Sequence, residues 1–275
     1  MLVPDITNPF FPPIIRGAEE AARERGYELV LCNTDDSPER ETALLRLLGE
    51  RQVDGVLVAT SRMADATVAG VRRERLPFVL VNRGSRVGAD YSVEVDNERA
   101  AATVIAHLAG LGHRRIAHIA GPLSTTTGAE RAAGYRDSMR AHSLDISEDL
   151  VAEAEAYSEI AGQAAAARLF AAGATAIFAA NDLLVIGALR AAREAGIRVP
   201  SDLSLVGVND IPLVSLIDPP ITTIRVPQRD MGAIAARMLI ALLEGEPVKR
   251  RHVLLETTLV VRGSTASPPA RRRVA

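Results

Sequence analysis

Histidine, cysteine, lysine and paired carboxylates are the side chains with which a chain of 275 residues moves protons, attacks electrophiles or grips metals. Here they are dispersed. His107, His113, His118, His142 and His252 have no metal-ligand spacing, and Cys32 is the single cysteine, so neither a disulfide frame nor a cysteine-based zinc cluster can be built. Lys249 is the single lysine, which removes a P-loop, and GxSxG, HExxH and a GxGxxG behind a strand are absent. Asp35 and Asp36 stand in a loop without a partner base. Cys32, in the apolar run YELVLC, reads as a small buried strand residue. His113, after Gly112 at a helix end, reads as a partly cationic ring suited to the helix dipole. No reaction centre is visible, so the expectation is a protein that is not an enzyme and uses no metal and no cofactor.

What recurs instead is a set of polar residues behind apolar runs. Asp5-Ile6-Thr7-Asn8, Asn33-Thr34-Asp35, Thr60-Ser61-Arg62, Asn82-Arg83, Gly121-Pro122, Asn181-Asp182 and Asn209-Asp210 each follow a strand-like stretch. In an open parallel sheet, ligands bind at the carboxyl ends of the strands, where loops and helix N-termini converge with unused N–H groups. Each such residue has a plainer reading too, as a helix cap or turn former. With 3% aromatic content and no tryptophan, Phe10, Phe11 and Phe178 draw notice as rings able to stack on a sugar or base, or equally to fill a core.

The elements that must carry these residues alternate. Strands are expected at 2–6, 27–32, 55–59, 78–81, 92–95, 115–120, 174–179, 203–208 and 253–261, and helices at 13–25, 38–51, 65–74, 97–111, 129–142, 158–172, 183–195 and 228–243. That order means βαβ units and a parallel α/β fold. One run of repeats ends near Ala120 and a second ends at Val208; the proline-rich LIDPPITTIRVP then resembles neither element. Hydrophobic residues at 48% supply a sizeable core, while a net charge of -2 gives no general attraction to nucleic acid or anionic membrane. No apolar stretch reaches the ~20 residues of a membrane span.

Taken in order, DITNPFF, RQVDGVLV, VDNERAA, HLAGLGHRRIAHIAGP, TTTGAERAAGY, AIFAAND, VPSDLSLVGVNDIPL and PPITTIRVP resemble the effector-binding core of LacI-family (LacI/GalR) transcriptional regulators over nearly the whole chain. The resemblance implies a periplasmic-binding-protein-like type I fold with two Rossmann-like subdomains joined by three crossovers. On that pattern 1–120 plus 225–255 form the N-terminal subdomain, 121–224 plus 256–264 form the C-terminal one, and 265–275 are a mobile tail.

By the same resemblance, the ligand-binding residues are Phe11, Ser61, Asn82, Arg83, Thr127, Arg131, Phe178, Asn181, Asn209 and Asp210, lining a cleft between the subdomains. Arg131 is the arginine expected to reach ligand hydroxyls or a carboxylate, and Asp182 the cap of its helix. Gly207-Val208-Asn209-Asp210 departs from the family's Gly-aromatic-Asp, leaving open which of Asn209 and Asp210 touches ligand. Arg83 suits an anionic ligand or pairs with Asp96. The implied partners are a small-molecule effector, a second copy in a homodimer, and operator DNA through an N-terminal helix-turn-helix of about 60 residues upstream of Met1. The implied location is cytoplasmic. The rival reading is a periplasmic solute-binding protein serving a membrane transporter, with the same fold and an export leader.

Overall fold

The computed structural model describes residues 1–50, 53–60, 66–84 and 91–269 of the chain. Contacts divide it into two units: Met1–Val95 with Ser124–Thr126 and Pro227–Glu256, and Asp96–Leu123 with Thr127–Val226 and Thr257–Ala275.

The first unit contains β1 (Leu2–Val3), α1 (Phe11–Arg23), β2 (Cys32–Asn33), α2 (Pro38–Glu50), β3 (Val56–Val58), α3 (Ala66–Arg73), β4 (Phe78–Val81) and β5 (Ser92–Val95). The second begins with α4 (Asn97–Gly110), β6 (Ile116–Ala120), α5 (Thr126–Ala141), β7 (Val151–Glu153), α6 (Glu159–Ala171), β8 (Ala176–Ala179), α7 (Asp182–Glu194), β9 (Ser204–Asn209) and β10 (Thr222–Arg225). The chain then gives the first unit α8 (Gln228–Leu243) and β11 (His252–Leu255), and the second β12 (Thr258–Val260).

Each unit is built on a six-stranded sheet. The first has the order β11-β5-β4-β3-β1-β2 and is parallel throughout; the second runs β12-β10-β9-β8-β6-β7, parallel except where β12 pairs antiparallel with β10. Parallel strands flanked by helices are buried on both faces, and β6, β8 and β9 are accordingly buried at every position. In the first unit Leu2, Leu45, Leu48, Val56, Val58, Val68, Val71 and Leu80 form one apolar cluster. Helix pairs close tightly on glycine. A Cβ on Gly187 of α7 would overlap the Glu159 carbonyl oxygen of α6, and one on Gly232 of α8 would overlap the Ile14 carbonyl oxygen of α1.

Five sequence expectations change. The first run of repeats does not extend to Ala120: β6 pairs with β8 and β7 in the second sheet, and α4 packs on β8 and β12. Alternation of strand and helix simply does not record which sheet a strand joins. The stretch at 253–261 is two strands in different sheets, divided at Glu256 and Thr257. LIDPPITTIRVP contains a strand after all, β10, whose β-branched Thr223 and Ile224 pair with both β9 and β12. β7, in an Ala/Glu-rich stretch, was not anticipated.

The fifth concerns the end of the chain. Ser264 is buried and donates to the Leu205 carbonyl (2.6 Å) while accepting from Thr222 N (2.8 Å), and Ala266 N is bonded to Ser204 Oγ (3.1 Å). The part of the expected tail up to Ala266 is therefore bound at the start of β9; Arg271–Arg273 lie outside the described residues. His113 completes this patch. Its ring is buried beside Thr175 Oγ1, Ser204 Oγ and the Ala266 carbonyl, which fits the structural role expected of it, but burial lowers its pKa and so disfavours the partial positive charge. Cys32 is half-buried on β2.

Candidate functional site

In the second unit the expected contacts gather where β8 and β9 end. Arg131, on α5, is only 3% exposed; its Nε donates to Asn97 Oδ1 at 2.9 Å and its Nη1 to the Ala180 carbonyl at 2.6 Å. Asn97 in turn donates from Nδ2 to Glu130 at 2.8 Å. A planar guanidinium held at two of its edges cannot swing, which is what a directional ligand contact requires. Ala180 sits immediately before Asn181, so Arg131 and Asn181 are brought together at the end of β8. Thr127, one turn earlier on α5, is buried and shares a 3.1 Å hydrogen bond with the Tyr157 hydroxyl.

Asn181 caps α7: its Oδ1 accepts from Leu184 N at 2.9 Å. The cap assigned to Asp182 thus belongs to its neighbour, because only Asn181 has the extended backbone of a cap residue, φ -151 and ψ 177. Asp182 is instead fully buried, accepting from Thr223 Oγ1 (2.7 Å) and Ile211 N (2.9 Å). Desolvation raises its pKa to about 7, outweighing the hydrogen bonds that pull it down.

Asn209 and Asp210 follow β9 with φ of 123° and 59°, in the left-handed region that asparagine and aspartate tolerate better than bulkier residues. Asp210 is occupied: Oδ1 accepts from Arg262 Nη2 at 2.6 Å and Oδ2 from Arg225 Nε at 2.7 Å. That places Asp210 in an ion-pair cluster beside the buried Asn209. Phe178 is not a cleft ring. It has no exposed surface and stacks on His118, centroids 4.6 Å apart, which stacks in turn on Tyr135. One residue inside the end of β8, its side chain belongs to the core.

The first unit places Asn82 and Arg83 directly behind β4. Asn82 is buried with φ 66°, and its Oδ1 has no hydrogen-bond partner among the described residues. Arg83 is buried and pairs with Asp36 at 3.0 Å, not with Asp96, which caps α4 by accepting from Arg99 N. Phe11 opens α1, buried and edge-on to Phe10 at 5.2 Å. Asp5 accepts from its own turn at Thr7. Ser61 lies outside the described residues. Sequence reasoning missed Asn97, Tyr157, Asp36 and the buried role of Asp182; only Asn97 carried a signal, standing behind Asp96 at a helix start.

Buried arginine, amide and hydroxyl groups around strand ends, with no nucleophile and base in mutual reach among them, make up a candidate binding site. A model of a periplasmic binding protein-like domain matches residues 105–265. The regulator DegA of Bacillus subtilis is 34% identical over 270 residues, 97% of this chain and 80% of DegA. Among solved structures, the regulator CcpA of Lactococcus lactis has a TM-score of 0.91 at 30% identity, covering 96% of this chain and 97% of that one. The complex of the regulator CelR with cellobiose has a TM-score of 0.89 at 33% identity, covering 96% and 83%. The chain belongs to the LacI family of transcriptional regulators and spans the effector-binding core. These relatives are regulators, not enzymes or transporter components, and among the described residues no helix is long and apolar enough to cross a membrane.

Proposed function

We propose that this chain senses a small hydroxyl-rich metabolite, a sugar or close relative, through the polar residues at the carboxyl ends of its two sheets. One observation carries the reading: besides His118 Nε2 in the core, Asn82 Oδ1 and Thr126 Oγ1 are buried without a hydrogen-bond partner among the described residues. Leaving a buried acceptor or hydroxyl unpaired costs about 1–3 kcal/mol, so such groups persist where something else satisfies them. A polyol supplies hydroxyls that both donate and accept. Arg131, Asn181, Asn209 and Thr127 offer the second unit's amide, guanidinium and hydroxyl groups to the same kind of ligand, and Arg83 would favour an acidic one. Cellobiose in CelR supports the class.

Effector binding would shift the population of core conformations and, across a homodimer, the placement of DNA-binding segments on operator DNA. A net charge of -2 supports a reading in which operator contact falls to a separate module. Calorimetry with pentoses, hexoses, disaccharides, nucleosides and sugar acids tests the reading. Saturable binding of at least one, lost in Arg131→Ala, is expected; silence across the whole panel would overturn it.

A further inference from the structure

We propose that Asp182 is the positioning residue of the effector site: its buried carboxylate fixes the Asn209–Asp210 turn without itself touching ligand. This rests on the effector reading above. Oδ2 accepts from the backbone N–H of Ile211 at 2.9 Å, just past the turn, and Oδ1 accepts from Thr223 Oγ1 at 2.7 Å on the neighbouring strand β10. The same Oδ1 occupies the space over Gly207, where a Cβ would overlap it. One side chain therefore engages β9 before the turn, the backbone after it, and the strand beside it.

The turn needs that hold. Asn209 and Asp210 are both non-glycine residues at positive φ, a conformation that persists only when its surroundings impose it. Arg225 and Arg262 grip Asp210 from its side chain and Val226 N reaches the Asn209 carbonyl at 3.5 Å, while just past the turn Ile211 N–H is anchored on Asp182 at 2.9 Å. Asp182 is also the residue after Asn181, so the first turn of α7 sets two site residues at once: Asn181 directly, and Asn209 through the carboxylate.

The test uses the chain as it stands, with Asp182→Asn and Thr223→Val. Amide hydrogen exchange at Ile211 is expected to quicken about tenfold in Asp182→Asn, the effect of weakening one bond to a carboxylate, while amides late in α7 keep their protection. Thr223→Val, which spares the Oδ2 bond, should leave Ile211 protected. Asp182→Ser replaces Asp182→Asn if the latter does not fold. Unchanged exchange at Ile211 would overturn the proposal. Cellobiose, ribose and glucuronate then serve as binding probes, and any that the parent chain binds should bind about tenfold more weakly to Asp182→Asn. Faster exchange with unaltered affinity would show the turn to be irrelevant to the site and overturn the positioning role. A parent chain blind to all probes would sink the effector reading alone, and the exchange result would still decide whether Asp182 fixes the turn.

Discussion

Arg131 and Asn97 are joined by a 2.9 Å hydrogen bond between two buried side chains, 3% and 2% exposed, and the bond sets the direction in which the guanidinium points. Asn97→Ala leaves Arg131 Nε–H without this acceptor in a buried setting. Urea denaturation should show a loss of about 2 kcal/mol. Arg131→Lys keeps the charge but cannot reach Asn97 and Ala180 with a rigid fork, so its calorimetric affinity for effector should fall by about tenfold or more.

Asn181 has two separable duties. Asn181→Ala removes the cap of α7 and should cost about 1 kcal/mol in chemical denaturation. Asn181→Asp keeps an oxygen for Leu184 N, so its stability should stay near that of the parent while effector binding is lost with the amide donor. Equal binding by the aspartate variant would confine Asn181 to capping.

Acid and base limbs of stability should oppose each other. His118 is buried with its pKa lowered to about 3 by desolvation, and the rings of His113 and His107 are lowered too. The folded ring of His118 stays neutral while the unfolded one takes up a proton below about pH 6.5, so its contribution is present above that pH and lost as pH falls toward 3. Asp182 runs the other way. Its folded pKa of about 7 exceeds the ordinary 3.8, so stability linked to it is full below 3.8 and lost as pH rises through 7. Thermal midpoints between pH 4.5 and 7 (a range set by these two groups) should fall more steeply on acidification in Asp182→Asn than in the parent, and less steeply in His118→Phe.

Gly187→Ala probes the α6–α7 contact, because the added methyl has no space beside the Glu159 carbonyl. About 3 kcal/mol of destabilisation is expected from forcing the helices apart, against a stabilising effect of the same substitution at an exposed helical position. Gly110, in α4 with nothing near its missing Cβ, is the control.

Much of this architecture was legible because βα alternation is a local property. Helix α8 follows from the apolar spacing of Met231, Ala235, Met238 and Leu239, and β8 from the run Ala176-Ile177-Phe178-Ala179. The boundary between units was not legible, since membership of a sheet is a long-range fact: β6 looks the same whether it neighbours β5 or β8. The site divides in the same way. Arg131 and Asn181 were recognisable from GAERAAGY and AAND, but that Phe178 turns its ring into a stack with His118, and that Asp210 is claimed by Arg225 and Arg262, depends on partners 15 to 60 residues away in the chain.

The docking of Ser264 and Ala266 against β9 also bears on how this protein can be handled. Cutting after Gly263 would strip acceptors and donors from Ser204, Leu205 and Thr222 and unroof His113, so a shortened version made for crystallography should aggregate or melt early. Purification handles and fluorescent fusions belong beyond Ala266, on a spacer long enough to leave that seam closed.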